Sequence, residues 1–254
     1  MPLLKRKYFV VSMSLGIIFV LTGVLPVNSE NGVVVEERKG FGTVIENCLT
    51  KKAESGDGKA AYCLSMNYQY QRKPDSEEKY MYWLQKAAEL GDAEGQFGLG
   101  DRYGDKSPEG RKLIKMAAEQ GHSEAQLILG DLSYDESNIE QAEYWYRKSA
   151  TQGRLLFSIL HLLRLLNKTK TQEKDLIEGC AWSLVGLSRC NPKSGFARWF
   201  KEEQEANIKK ATELGYEKAA FMKQAEIEAD KINKNIRVIW VSPGWEDCQE
   251  YGSK

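Results

Sequence analysis

The sequence predicts an all-α protein, an α/α solenoid of about five helix-pair repeats ending in a non-helical C-terminal tail. Three observations carry that prediction. Glycines at equivalent places (Gly56, Gly91, Gly121 and Gly153) follow one another at intervals of 35, 30 and 32 residues, the self-similarity of a repeat array. Within the intervals, apolar residues recur with helical spacing, as at Tyr80, Trp83, Leu84, Ala87 and Ala88. The final stretch changes character: RVIWV is β-branched and aromatic, and Pro243-Gly244 then turns the chain.

Residues 1–29 read as a secretory signal peptide. Lys5, Arg6 and Lys7 precede an apolar run from Tyr8 to Val24, and Pro26 and the small-residue site Val27-Asn28-Ser29 follow it. Cleavage is expected after Ser29. The alternative is an uncleaved anchor, because the run approaches the length of a short span. Membrane contact is expected only through such an uncleaved leader, and the rest of the chain is placed outside the inner membrane, periplasmic or secreted. Residues 30–40 are read as a linker, 41–234 as the solenoid and 235–254 as a tail that folds back to cap the array.

The repeat is clearest where residues 87–101, AAELGDAEGQFGLGD, align with 117–131, AAEQGHSEAQLILGD. They match at nine of fifteen positions. Each unit reads as two helices. Gly91 and Gly121 end one helix, where a left-handed residue carries no Cβ penalty. Gly95 and Gly98 fall inside the following helix, and each is expected to cost about 1 kcal/mol against alanine. Ala125 and Ile128 replace them in the next copy, which excludes a phosphate-cradling loop. The segment RLLFSILHLLRLLN is unusually apolar, so it is either buried on more than one side or turned to a partner. Trp182 restores the tryptophan position in a further helix. GFARWFKEEQEANIKKATELG then reads as a long charged helix closing at Gly215.

Ala125, Leu129, Gly130 and Tyr134, with Tyr80, Trp83, Lys86, Ala87, Ala88 and Gly91, resemble the two halves of the Sel1-like repeat, a relative of the tetratricopeptide repeat. Ala142, Trp145, Lys148, Ala150 and Gly153 repeat the second half, with Ser149 in place of one alanine. The resemblance is clear over residues 53–153 and weak over 154–234. It implies a scaffold whose first helices line a binding face, so Tyr68, Tyr70, Tyr103 and Tyr134 are candidate partner contacts, structural packing being the alternative for such repeat tyrosines. Glu94, Asp101, Glu124 and Asp131 would give that face an acidic tint. Trp240 and Trp245 in the tail either cap the array or anchor a partner.

Cys48 and Cys63 flank Gly56 at eight and seven residues, level with one another in an antiparallel pair. A disulfide between them is expected, the alternative being two buried small hydrophobes. Cys180 and Cys190 lie about 15 Å apart along one helix and should not pair. One of them could capture Cys248, with Cys190 the better placed because Pro192 puts it at a helix end.

Chemistry finds little support. The chain has two histidines: His122 is expected as a surface turn residue and His161 as a satisfied interior one. No metal-ligand spacing, no nucleophile elbow and no cofactor motif occurs, so catalytic, metal and cofactor residues are all read as none. Without the leader the balance is about −3, which argues against nucleic-acid binding. Asn167-Lys168-Thr169 matches a glycosylation sequon, as chance often provides. The expected partner is therefore another protein. The resemblance implies an immunity protein that neutralises a secreted lipase or other toxin. It also admits an adaptor or signalling regulator, or a cysteine-rich β-lactam-binding or hydrolysing protein, although the regular cysteine pairs of the last group are missing.

Overall fold

The computed structural model describes residues 11–12, 17–18, 39–71, 74–152, 156–169 and 172–236. It divides into two units at Lys39 and Gly40. In the first, the short strands β1 (Val11–Ser12) and β2 (Ile17–Ile18) pair antiparallel, Val11 opposite Ile18. The predicted cleavage site lies outside the described residues.

The second unit contains eleven helices among the described residues: α1 (Lys39–Glu54), α2 (Gly58–Tyr70), α3 (Ser76–Glu89), α4 (Ala93–Tyr103), α5 (Pro108–Glu119), α6 (Ser123–Asp135), α7 (Ile139–Thr151), α8 (Leu156–Thr169), α9 (Glu173–Arg189), α10 (Gly195–Glu213) and α11 (Lys218–Asn235). Four successive pairs, α2/α3 to α8/α9, follow α1, and α10 and α11 both pack on α9, forming an all-α solenoid. The first helix therefore starts inside the stretch expected as linker.

One turn design joins successive pairs. At Gly91 (φ +87°) the glycine N–H donates to Ala88 and the Asp92 N–H to Ala87, which closes α3 in a Schellman motif. Asp92 then caps α4 by accepting from the Gly95 N–H at 2.7 Å. One residue thus ends one helix and starts the next. Gly56 with Asp57 and Gly121 with His122 repeat the device, and Gly215 closes α10 in the same way. Gly153 lies outside the described residues.

Small residues set the helix spacing. Ala87, Ala117 and Ala118 are fully buried, with Trp83 and Trp145 filling the wider gaps. A Cβ on Gly95 would stand 2.6 Å from the Ala87 Cβ and 2.9 Å from backbone atoms of α3. This corrects the expectation that alanine would serve better there: the bare backbone lets α4 seat against α3. Gly98 is more open, with only the tip of Leu84 at 3.1 Å. A glutamine relay locks consecutive repeats. Gln96 donates to the Ala88 carbonyl and accepts from Gln120 at 2.7 Å; Gln126 does the same with Ala118 and Gln152.

Helix α8 is buried on most of its circumference through Ile159, Leu160, Leu162, Leu163, Leu165 and Leu166, as its composition suggested. Phe157, His161, Arg164 and Lys168 recur at i, i+4, i+7 and i+11 along the remaining stripe. Phe200 of α10 is fully buried and occupies the space a side chain at Gly186 would need. Ile236 ends the described chain in the core, so the capping tail, with Trp240, Trp245 and Cys248, lies outside it.

The cysteines depart from expectation. Cys48 and Cys190 are free thiols, so neither the Cys48–Cys63 bridge nor the Cys190–Cys248 bridge forms. Cys63 is disulfide-bonded while Cys48 is free, and rotational phase fits that difference. Leu49 and Ala53 are the core-facing residues of α1, and Cys48 stands about 100° round the helix from Leu49. Equal height along two helices did not make the pair face each other.

Candidate functional site

The first helix of one repeat, the second helix of that repeat and the first helix of the next enclose a cleft of ≈ 430 Å³. Helix α6 contributes Asp131, Tyr134 and Asp135, which the i, i+3, i+4 spacing puts on one face. Helix α7 contributes Tyr146, and α8 contributes His161, Arg164, Leu165 and Lys168.

The cleft is organised around Asp131. Its Oδ1 accepts from the Tyr146 hydroxyl at 2.7 Å and stands 2.7 Å from His161 Nδ1. The His161 ring meets Tyr146 edge-on at 5.5 Å. Burial, reinforced by the bond to Asp131, pushes the Tyr146 hydroxyl above the ordinary phenol range, so it stays a neutral donor. Tyr146 reaches Asp131 because Gly130 leaves room: a Cβ there would overlap the tyrosine ring. The repeat's small-residue position has become a seat for an aromatic that reads into the cleft.

The second wall is basic. Lys168 Nζ donates to the Tyr134 hydroxyl at 2.6 Å and lies 5.3 Å from its ring centroid. Arg164 approaches Glu203 at 3.7 Å and stacks toward Trp199. Beyond it, Trp199, Phe196 and Phe157 form an edge-to-face row, with Phe157 exposed. Among the described residues, no arginine or lysine of α8 pairs with Asp131 or Asp135 across the cleft. None of the lining residues is a serine, threonine or cysteine, so the cleft offers a hydrogen-bonding and ionic surface without a side-chain nucleophile of those types. No group of three or more metal-ligating His, Cys, Asp or Glu occurs among the described residues.

Of the four tyrosines singled out by sequence, only Tyr134 lines this cleft. Tyr70 and Tyr103 are exposed on earlier first helices, at 69% and 48%. Tyr68 is a correction: it is 6% exposed, and its hydroxyl donates to Glu46, tying α2 to α1. His122 is another. It is buried, not a surface turn residue: Nδ1 accepts the Ala125 N–H at 3.2 Å, Nε2 faces Glu94 at 3.3 Å, and Phe97 stacks on the ring at 4.1 Å. The Nδ1 acceptor role puts the ring proton on Nε2. Glu94 is therefore committed to a partner, and the face is not uniformly acidic. His161, expected in the interior, lines the cleft instead.

Two other sequence features have structural explanations. The Asn167 amide nitrogen of the sequon donates to Glu203 at 2.6 Å. Cys180 is fully buried, and burial pushes its thiol up to about 12, so it is not a thiolate near neutral pH. Sequence reading missed Tyr146, Asp135, Arg164 and Lys168. The signal available was the exposed i, i+4, i+7, i+11 stripe on an otherwise apolar α8.

No protein-family model and no curated protein matches the sequence. Among solved structures, a protective antigen of uropathogenic Escherichia coli strains displaying an SLR fold superposes with a TM-score of 0.55 at 23% identity, over 74% of this chain and 40% of that one. A Sel1 repeat protein from Oxalobacter formigenes matches at 20% identity and a TM-score of 0.44, over 90% of this chain and 73% of that one. The chain thus spans 40% of the length of the antigen. The fold is that of a Sel1-like repeat solenoid.

Proposed function

We propose that this solenoid is a non-enzymatic protein-binding module that acts outside the inner membrane. The observation that carries the reading is the α6–α8 cleft, a preorganised polar and ionic surface without a serine, threonine or cysteine nucleophile. Two of its charged groups, Asp131 and Lys168, are already held in place by neighbours, which lowers the ordering cost of receiving a partner. Exposed Tyr70 and Tyr103 extend the tyrosine-bearing surface to earlier first helices. The leader-like residues 1–29 support export.

The finer form of this reading is an immunity role, in which the module binds and neutralises a toxic effector such as a secreted phospholipase. The test asks first whether a secreted lipase is encoded beside the gene, and then mixes that lipase with the purified protein, following complex formation and residual lipase activity. A stoichiometric complex with lost activity is expected. An unaffected lipase with no complex rejects the immunity role. Hydrolysis of a β-lactam by the purified protein, abolished by one substitution in the cleft, rejects the non-enzymatic reading.

A further inference from the structure

Resting on the protein-binding reading, we infer that the α6–α8 cleft recognises a dipolar peptide segment of the partner, one bearing an acidic and a basic side chain about one helical turn apart. The two walls carry opposite charge in matching rows. Asp131 and Asp135 are four residues apart on α6, and Arg164 and Lys168 are four apart on α8. Residues so spaced on a helix lie about 5–6 Å from each other. Neither α8 cation pairs with an α6 carboxylate among the described residues: Lys168 reaches α6 only at the Tyr134 hydroxyl, and Arg164 turns to Glu203. An occupant with one sign of charge would meet attraction from one wall and repulsion from the other. An occupant with both signs completes both walls.

The supporting contacts fit this use. Tyr146 and His161 hold Asp131, and Tyr134 holds Lys168, so each wall has one fixed charge. Asp135 is exposed and has no ion pair among the described residues, and Arg164 is only loosely engaged by Glu203, so each wall also has one adaptable charge. The expected acidic face has thus become a two-signed one, since α8 departs from the repeat pattern and brings its cations to the same place.

The test uses the full chain and three short, end-capped, fluorescein-labelled peptides: one with Glu and Lys four positions apart, its all-Glu counterpart and its all-Lys counterpart. Fluorescence anisotropy is expected to show the mixed peptide binding at least about tenfold more tightly than either one-signed peptide. Reversing the basic wall alone (R164E with K168E) or the acidic wall alone (D131K with D135K) should abolish the preference. Reversing both walls in one variant should restore it, because the peptide can bind end for end. Thermal melts establish that each variant is folded. A one-signed peptide that binds as tightly as the mixed one, or a double-wall variant that fails to recover, overturns the dipolar inference and leaves protein binding standing. If no peptide binds, the inference also falls, and protein binding is then judged by the lipase experiment alone.

Discussion

The α4/α5 and α6/α7 repeats share a turn glycine and a Glu, Gln, Leu, Gly and Asp at matching positions of their first helices, yet one closes on itself and the other opens a cleft. In both, a glycine occupies the same position of the first helix. At Gly100 the space is taken by Ile114 at 2.9 Å and by the Gly110 carbonyl at 3.0 Å, and the two helices lie nearly backbone to backbone. At Gly130 it is taken by the Tyr146 ring, whose hydroxyl continues on to Asp131. The glycine sets only how close the neighbour comes. Whether the repeat is scaffold or site depends on what the neighbour carries beyond the contact.

Substitutions at these glycines sharpen the contrast, and the largest effect is expected in the closed repeat. A Cβ at Gly110 would overlap the Gly104 carbonyl oxygen, a backbone atom that cannot move without shifting the α4–α5 loop. Gly110→Ala should therefore destabilise the protein by about 3 kcal/mol in urea unfolding, the upper range for overpacking. Gly98→Ala meets only the flexible tip of Leu84 and gains helix propensity, so it should lie within about 1 kcal/mol of wild type. Equal losses at the two sites would mean that helix propensity, not close approach, governs these positions.

In the open repeat, Tyr146→Phe keeps the ring on Gly130 and removes only the hydroxyl bond to Asp131. The expected loss is about 1.5 kcal/mol, typical of a hydrogen bond to a charged acceptor. The hydroxyl is held protonated above its ordinary range, so this contribution is present at neutral pH. It fades only as pH rises past the unfolded phenol value of about 10. A variant whose stability difference from wild type persists unchanged at pH 11 would contradict that assignment.

The turns give a smaller and cleaner comparison. His122 stands where Asp57 and Asp92 stand in the preceding turns, and it caps its helix with a ring nitrogen in place of a carboxylate. His122→Asp and His122→Ala both lose the Phe97 stack and the Glu94 contact. Their stabilities should differ by about 1 kcal/mol in favour of aspartate, the worth of an N-cap. No difference would show that the ring matters only through packing.

Much of this was legible in sequence because repetition turns a single chain into its own alignment. The turn glycines, the buried alanines and tryptophans and the helix pairing all followed from residues that recur. The cleft did not, because its parts are the ones that fail to recur. Tyr146 stands where earlier units carry the apolar Leu84 and Ile114, and His161, Arg164 and Lys168 lie on the helix that departs from the repeat pattern, so periodicity could not point to them. His122 was misplaced for a related reason: the turn position is usually polar and exposed, and only the neighbouring Phe97 and Glu94 bury it. Helical phase, which decides whether Leu49 or Cys48 faces the core, required the packing itself.

That last distinction yields the smallest expected effect and the most decisive one for the cysteines. Loss of a native disulfide typically costs about 2–5 kcal/mol. A half-buried free thiol replaced by alanine removes one sulfur and little packing. Cys48→Ala should therefore change urea stability by less than about 0.5 kcal/mol, as for a surface substitution. In the native wild type, Cys48 should alkylate readily at mildly alkaline pH, while Cys180 stays protected by burial and by its raised thiol. A disulfide-sized loss in C48A, or a Cys48 that alkylates only after reduction, would return the bridge to α1 and α2 and make the first helix pair a covalent staple.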